Sequence, residues 1–220
     1  MKQIIKTPKF VVYDDVLSRE ECLQLWKYVQ EEHYTSPLAS GEWIKVWRLG
    51  DQSPLGTKVY YQSQAPFNTP LDLMVKPAVE VARLHPEIVA GFEDISLRSY
   101  LYPRGSKLSW HDDRTEFSGA LTYYIHPRWG STWGGELMVA EVPPITQVFS
   151  SPPDLAHLSH EWEDHYLSVF GLGQWITPKP NRLVLMAPGV YHGINRVDDD
   201  AGDHVRCSIV GFYKREKKTA

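Results

Sequence analysis

Short stretches rich in β-branched and aromatic residues fill the second half of the chain, and this pattern restricts the fold more than any other feature. Glycine, proline and charged clusters separate them, and no separating segment shows the long helical periodicity that parallel βαβ units require. The pattern therefore predicts an antiparallel barrel or jelly roll. The candidate strands are Ile95–Tyr102, Ser118–Ile125, Glu136–Val142, Arg182–Met186 and Arg206–Tyr213.

Two amphipathic helices are predicted before these strands. Ser18 and Glu21 form an S-x-x-E capping box, and apolar residues recur at helical spacing after it, which predicts a helix over about 19–32. A threonine followed by a first-turn proline predicts a second helix over 70–84, which Pro77 kinks or shortens. The helices are expected to pack on the β-rich core.

Length and charge limit the domain organisation and the partners. The chain has 220 residues, 42% of them hydrophobic, and a formal charge of -4, which is ordinary for a globular protein. We expect a single domain, residues 1–220, in which residues 1–90 support a jelly-roll core of residues 91–220. One long insertion, Pro143 to Pro180, interrupts this core. The near-balanced charge argues against nucleic acid as a partner.

Cysteine usage and hydropathy indicate the cellular compartment in which the protein is expected. Cys22 and Cys207 do not belong to a C-x-x-C pair, so both are predicted to be reduced core thiols. Residues 1–15 lack the apolar run of a signal peptide, and no stretch approaches the ~20 apolar residues of a membrane span. We therefore expect a cytoplasmic protein without a membrane partner.

The sharpest local feature is an H-x-D motif at His111 and Asp113. Side chains alternate faces along a strand, so these two residues are predicted to point the same way. A second histidine, His192, follows in a Pro-Gly-Val-Tyr-His-Gly run. Two imidazoles and one carboxylate on one face of an octahedral metal leave three positions open, which suits iron(II). H-x-D alone is weak evidence, because common polar residues form it by chance.

Arg206 opens the apolar stretch 207–212, and a guanidinium inside a buried strand needs an anionic partner. An internal salt bridge would satisfy this need. A carboxylate ligand bound by the guanidinium fork would do so equally, with Ser208 on the same strand face adding a hydroxyl. The residues themselves leave both interpretations open.

Taken in order, these motifs resemble the iron(II)- and 2-oxoglutarate-dependent oxygenases, in particular the prolyl-hydroxylase-like branch, over about residues 9–214. The resemblance implies a mainly β (α+β) fold with a double-stranded β-helix (jelly-roll) core and N-terminal flanking helices. The matching segments are the N-terminal stretch at 12–22, the Tyr-Pro-x-Gly run at 102–105, the H-x-D motif, Tyr-Tyr-Ile-His at 123–126, Gly-Gly-Glu-Leu at 134–137, Pro-x3-His at 188–192 and Arg-x-Ser at 206–208.

The resemblance also implies roles for seven residues. Three positions match the iron ligands of the family, and these are His111, Asp113 and His192. Four positions match residues that contact 2-oxoglutarate, and these are Arg206, which would bind the distal carboxylate, and Tyr124, Ser208 and Tyr102. The implied cofactors are iron(II), 2-oxoglutarate as cosubstrate, and O2, with ascorbate as a stimulant. One departure is His126, where the family commonly has asparagine.

The implied activity is hydroxylation of an unactivated C–H bond of an amino acid or peptidyl amino acid, with release of succinate and CO2. Asp113 argues against halogenation, which needs this ligand to be missing, and Phe212 stands where nucleic-acid demethylases carry a second arginine. The alternatives are a catalytically inactive jelly-roll binding module, or the same chemistry on another small-molecule natural product. The expected partner is a small-molecule or peptide substrate.

Aromatic residues outside the main motifs give two further predictions. The insertion is expected to form a lid, because its prolines limit regular structure and its aromatic side chains, Trp175 among them, should be covered. Its histidines, His157, His160 and His165, lack zinc-protease spacing and fit a loop. Trp129 and Trp133 either line a substrate pocket or pin their loop to the core.

Overall fold

Two antiparallel β-sheets form the core of the fold. They are seen in a computed structural model that describes residues 1–36, 54–113, 117–141 and 171–215. The strands are β1 (Lys2–Lys6), β2 (Phe10–Asp14), β3 (Leu55–Gly56), β4 (Tyr60–Tyr61), β5 (Phe92–Tyr102), β6 (Leu108–His111), β7 (Phe117–Tyr124), β8 (Leu137–Ala140), β9 (Gly173–Ile176), β10 (Arg182–Met186), β11 (His192–Ile194) and β12 (Arg206–Arg215). The helices are α1 (Arg19–Glu31) and α2 (Val75–Leu84).

The strands pair in two layers. The large sheet has the order β1-β2-β10-β7-β12-β5-β3, with β4 also paired to β5, and the small sheet has the order β6-β11-β8-β9. Neighbours in both sheets are antiparallel. Consecutive strands of the chain repeatedly cross from one sheet to the other, as expected for a jelly roll. The predicted fold class is confirmed.

Both predicted helices are present, with their starting signals in use. The Ser18 hydroxyl accepts from the backbone N–H of Glu21 at 3.2 Å, and the Glu21 carboxylate accepts from the backbone N–H of Ser18 at 2.7 Å. The second helix starts as a 3-10 turn over Pro70–Met74 and becomes α-helical only at Val75. Pro77 therefore lies in the first α-helical turn, where its missing N–H costs no hydrogen bond, and the α-helix is shortened as predicted.

The helices cover the outer face of the large sheet. Leu25 and Val29 of α1 and Val81 of α2 belong to one buried cluster with Leu121 and Ile209 of the central strands. Burying side chains of this size contributes about 1.5–3 kcal/mol each to the stability of the fold. The inner face of the same sheet is thereby left to the small sheet.

Alternation along β12 places the candidate site between the two sheets. Ile209 lies in the helix-side cluster, whereas Val210 and Phe212 pack in clusters on the opposite face. Arg206 and Ser208 have the same parity as Val210, so their side chains also point between the sheets. The side chain of Cys207 faces the helices, where burial raises the pKa of its thiol to about 12.

Several strands were not predicted from the sequence. The N-terminal strand β2 pairs with β10, with Val12 opposite Val184, so part of residues 1–90 belongs to the large sheet itself. Strand β9 lies inside the predicted insertion, which is therefore not devoid of regular structure. Trp175 on β9 is 73% exposed, so the prediction that its ring is covered is wrong.

Residues 143–170, most of the predicted insertion, lie outside the described residues, together with His157, His160 and His165. Cys22 and Cys207 are both free thiols, as predicted.

Neither α1 nor α2, nor any other helix in the described part of the chain, is long and apolar enough to cross a membrane.

Candidate active site

His111, Asp113 and His192 converge at the edge of the small sheet. Strands β6 and β11 pair so that His192 stands directly opposite His111. Nε2 of His111 lies 3.8 Å from one carboxylate oxygen of Asp113, and Nε2 of His192 lies 3.6 Å from the other. The candidate ligand atoms all lie within 4.8 Å of one another. The predicted cluster is therefore assembled by two neighbouring strands.

One step of the prediction needs correction. Strand β6 ends at His111, so Asp113 does not reach the site by alternation along a strand. It lies two residues beyond the strand end, in a segment without regular structure. Its carboxylate nevertheless lies on the same side as the His111 imidazole, 3.8 Å from Nε2, as predicted.

Backbone carbonyls fix the tautomer of both histidines. Nδ1 of His111 lies 2.7 Å from the carbonyl oxygen of Ser109, and Nδ1 of His192 lies 2.8 Å from the carbonyl oxygen of Val190. A carbonyl only accepts hydrogen bonds, so each Nδ1 carries the proton and donates. Nε2 of each neutral ring is then unprotonated and faces Asp113. This is the orientation in which imidazoles bind metals.

The electrostatics of Asp113 fit a cation at the same point. Burial raises the pKa of its carboxyl group, and the nearby Asp112 adds to this effect, whereas His192 opposes it. A buried carboxylate beside two imidazole nitrogens is best stabilised by a divalent metal, since all three groups are electron-pair donors. The donor set thus fits a two-histidine, one-carboxylate metal centre.

Arg206 occupies the other end of the space between the sheets. Its side chain is fully buried, and the guanidinium lies over the rings of Tyr102 and Tyr124, 4.9 and 5.0 Å from their centroids. Nε donates to the carbonyl oxygen of Gly135 at 2.7 Å, and Nη1 donates to Oγ of Ser208 at 3.4 Å. The four predicted cosubstrate contacts therefore form one cluster.

Two polar atoms of this cluster suit a carboxylate ligand. Nη2 of Arg206 and the hydroxyl of Tyr124 are buried and have no hydrogen-bond partner. Among the described residues no carboxylate forms an ion pair with Arg206, so the internal salt bridge considered from the sequence is not found there. Burial raises the pKa of the Tyr124 and Tyr102 hydroxyls, against the opposing effect of Arg206, so both stay protonated donors at neutral pH.

The Gly134-Gly135 turn makes room for the guanidinium. Both glycines adopt positive φ angles, 69° and 72°, a region that side-chain-bearing residues rarely occupy. A Cβ atom on Gly135 would also lie 2.8 Å from Cδ of Arg206. Trp129 donates from Nε1 to the carbonyl oxygen of Gly134 at 2.9 Å, and its ring packs edge-on against Trp133. Trp129 and Trp133 therefore pin this turn to the core.

A cavity of about 170 Å³ joins the metal-ligand cluster to the inner face of the large sheet. Besides the three candidate ligands it is lined mainly by apolar side chains, including Tyr100, Leu137, Met186 and Ile194. The sequence did not identify these residues as part of the site. Each occupies one alternating position in a strand, so its local pattern is the same as that of an ordinary core residue.

His126, the departure from the family pattern, is a structural residue. Nε2 donates to the carbonyl oxygen of Pro178 at 2.6 Å, so Nδ1 accepts from the backbone N–H of Cys207 at 3.2 Å. Burial, reinforced by the charge of Arg206, lowers the pKa of His126 to about 4. The neutral ring therefore ties the chain after β9 to the start of β12, directly behind Arg206.

Solved structures share this fold. A prolyl-4-hydroxylase from Pseudomonas putida is 16% identical, with 95% of this chain and 94% of that chain covered at a TM-score of 0.60. A Trichoplax adhaerens prolyl hydroxylase in complex with a hypoxia inducible factor peptide is 13% identical, with 94% and 84% covered and a TM-score of 0.59. HygX from Streptomyces hygroscopicus, with nickel and 2-oxoglutarate bound, is 12% identical, with 94% and 83% covered and a TM-score of 0.59.

Sequence comparison gives the family. No curated protein matches the chain significantly. The family model described as the 2OG-Fe(II) oxygenase superfamily matches residues 96–214, which is more than half of the chain and contains all seven candidate site residues. Together with a fold shared with prolyl hydroxylases, this match shows that the chain belongs to the 2OG-Fe(II) oxygenase superfamily, whose members use Fe(II), 2-oxoglutarate and O2.

Proposed function

We propose that this dioxygenase hydroxylates an unactivated C–H bond of an amino acid or peptidyl amino acid, with iron(II) bound by His111, Asp113 and His192. The observation that carries the assignment of the ligands is the fixed tautomer of the two histidines. Both rings donate Nδ1–H to main-chain carbonyls and turn Nε2 towards the carboxylate. Bound iron(II) supplies the activation of O2, coupled to conversion of 2-oxoglutarate into succinate and CO2.

The cluster around Arg206 is proposed to bind 2-oxoglutarate. Nη2 of Arg206 and the hydroxyl of Tyr124 would donate to the distal carboxylate, with Ser208 and Tyr102 completing the pocket. A charge-assisted fork of this kind is shorter and stronger than a neutral hydrogen bond. Because the guanidinium is already fixed by Gly135 and two aromatic rings, little side-chain entropy is lost when the carboxylate binds.

The space between the sheets is proposed to shield the reaction. The cavity walls are largely apolar, so water is excluded and the electrostatic interactions inside it are strengthened. The N-terminal strands are part of the large sheet, which supports a single domain in which residues 1–90 and 91–220 fold together. The predicted lid over 143–180 and a cytoplasmic location stay predictions.

An amino-acid or peptide substrate is supported by the related structures. The Pseudomonas putida and Trichoplax adhaerens proteins are prolyl hydroxylases, and the latter was solved with a peptide fragment. The test is succinate formation from 2-oxoglutarate, measured with free amino acids and short peptides, with mass spectrometry to detect an added oxygen atom. Absence of both iron(II) binding and succinate formation would instead indicate the inactive binding module.

A further inference from the structure

A groove of about 710 Å³ continues from the cavity along the inner face of the large sheet. The groove and the cavity share Tyr100, Val210 and Phe212, so the groove leads directly to the candidate metal ligands. Its walls are mainly apolar, and Phe117 stacks on Phe212 with 4.7 Å between the ring centroids. The groove therefore borders the cavity that holds the candidate metal ligands.

The charges of this groove are of one sign. Of the described residues that line it, Arg98, Lys214 and Arg215 are cations and none is a carboxylate. Lys214 and Arg215 stand at the end of β12, opposite Asp94 and Phe92 of β5. Arg98 stands opposite Val210, which lines both the groove and the cavity, so it is the cation closest to the cavity along the strands.

Arg98 is held in a specific position. Its side chain is largely buried, and its guanidinium carbon lies 5.2 Å from the centroid of the Tyr100 ring. On its other side the guanidinium packs against Gly56 of β3, where a Cβ atom would lie 2.8 Å from Nε of Arg98. Gly56 pairs directly with Tyr100 across the two strands. Glycine at position 56 thus leaves the space that the guanidinium occupies.

Arg98 and Arg206 lie on one face of the sheet. Arg206 pairs with Tyr102 and Val210 pairs with Arg98, so the two arginines mark positions four residues apart along paired strands. At ~3.3 Å per residue this separation along the strands is about 13 Å, and Tyr100, which lines the cavity, lies between the two levels on the same face. Each guanidinium lies over a tyrosine ring. One cation is assigned to the cosubstrate, and the other lines the groove.

On the basis of the proposed function, we propose that Arg98 binds a carboxylate of the substrate and so determines which C–H bond faces the metal. The substrate is then an acid, either a free amino acid held by its α-carboxylate or a peptide held by a terminal or side-chain carboxylate. Gly56 acts only by leaving room for the guanidinium. A guanidinium fork fixes the orientation as well as the charge of a carboxylate, which suits positioning of a target carbon.

The test compares each L-amino acid with its amide, and short peptides as C-terminal or side-chain acids with their amides. Substrate-stimulated succinate formation gives kcat/KM, and calorimetry without O2 gives binding of each probe to the protein loaded with iron(II) and 2-oxoglutarate. The wild-type chain should prefer the acid by about 10- to 100-fold, the size expected for a hydrogen bond to a charged group. The class of probe that shows the preference (free amino acid, C-terminal acid or side-chain acid) identifies which carboxylate of the substrate is bound.

Four variants separate charge from position. Arg98→Gln should abolish the preference for the acid, and Arg98→Lys should retain part of it. Gly56→Ala should lose the preference although the charge is kept, and adding Gly56→Ala to Arg98→Gln should change nothing further. Arg83→Gln, on helix α2, is the matched control and should behave as wild type. If Arg98→Gln fails to fold, Gly56→Ala carries the same test.

The proposal is wrong if the wild-type chain treats acids and amides alike, or if Arg98→Gln keeps the preference. It is also wrong if no probe binds or stimulates turnover while iron(II) and 2-oxoglutarate bind normally, or if Arg98→Gln weakens 2-oxoglutarate binding. Failure of the proposed function gives a different result, since the wild-type chain would then neither bind 2-oxoglutarate with iron(II) nor form succinate.

Discussion

At the scale of single residues, the most direct prediction concerns iron(II) binding by the three candidate ligands. His111→Ala, Asp113→Ala and His192→Ala should each lower iron(II) affinity by more than about 100-fold, because loss of outer-shell partners alone costs 10- to 100-fold. Succinate formation should disappear in each variant, while the thermal unfolding of the metal-free protein changes little. Calorimetric titration with iron(II) under anaerobic conditions measures the effect.

The neighbouring carboxylate provides the control for this series. Asp112→Ala removes a charge that acts on Asp113 but contributes no donor atom to the cluster. It should bind iron(II) within a few-fold of the wild-type affinity. Full iron affinity in any one of the three alanine variants would show that the residue concerned is not a ligand.

Arg206 makes a second prediction at this scale. Arg206→Ala should weaken 2-oxoglutarate binding by about 30-fold or more, since truncating one partner of a buried charge pair costs about 2–5 kcal/mol. Iron(II) affinity should hardly change, and Arg206→Lys should recover only part of the loss because a point charge does not reproduce the fork. Calorimetry with 2-oxoglutarate checks this, with the exposed Arg104→Ala as the control. Unchanged affinity in Arg206→Ala would assign the cosubstrate to another cation.

The seven candidate residues, which the resemblance to the family indicated, fall into two clusters in the structure, whereas their surroundings could not be predicted. The contact between Gly56 and Arg98 could not be predicted, since it joins residues far apart in the chain through the pairing of β3 with β5. Asp113 lies beyond the end of β6, so the alternation of a regular strand does not by itself fix its position.

At the scale of elements, His126 links the chain after β9 to β12 and should make stability depend on pH. Its pKa is about 4 in the folded protein and about 6.5 in an unfolded chain, so between these values the unfolded chain binds more protons. Lowering the pH from 7 to 4 should therefore reduce the free energy of unfolding through this residue, by on the order of 3 kcal/mol.

Urea denaturation at pH 7 and at lower pH measures this contribution as a difference between variants. His126→Gln should be less stable than wild type at pH 7, because its amide cannot reproduce both backbone hydrogen bonds, but should lose less stability on acidification. The exposed His204→Gln should keep the wild-type pH dependence. Equal pH dependence in His126→Gln and wild type would mean that the buried ring is not the titrating group.

Element prediction succeeded mainly for strands rich in β-branched and aromatic residues and failed for several short strands defined by pairing. Strands β5, β7, β8, β10 and β12 were recognised from their composition. Strands β6, β9 and β11 have only three or four residues each, too few to show an alternation of their own. They are strands because their neighbours in the small sheet supply hydrogen-bond partners. The β1 strand is exposed at all five positions, so it shows no alternation either.

At the scale of the whole molecule, the N-terminal hairpin tests whether the chain is one folding unit. All residues of β2 are buried, including Phe10, Val11, Val12 and Tyr13. Burying four such side chains is worth roughly 6–12 kcal/mol, comparable to the entire stability of a typical domain. Deletion of residues 1–14 should therefore abolish cooperative thermal unfolding, measured by circular dichroism.

Deletion of residues 1–6 is the matched control, because it removes only the exposed strand β1. That variant should keep a cooperative transition and its activity. A cooperative transition in the longer deletion would show that residues 15–220 fold without the N-terminal hairpin, and the hairpin would then not be part of the folding unit.

The hydrogen bonds that orient the two imidazoles affect how readily point mutations can disturb the candidate metal centre. Their acceptors are the main-chain carbonyls of Ser109 and Val190, so they do not depend on which side chains occupy those positions. A centre whose histidines were oriented by carboxylate side chains would present two further positions at which one nucleotide change could misalign a ring. Here that alignment is inherited with the backbone, so it does not depend on the side chains at positions 109 and 190 as long as the main chain keeps its course.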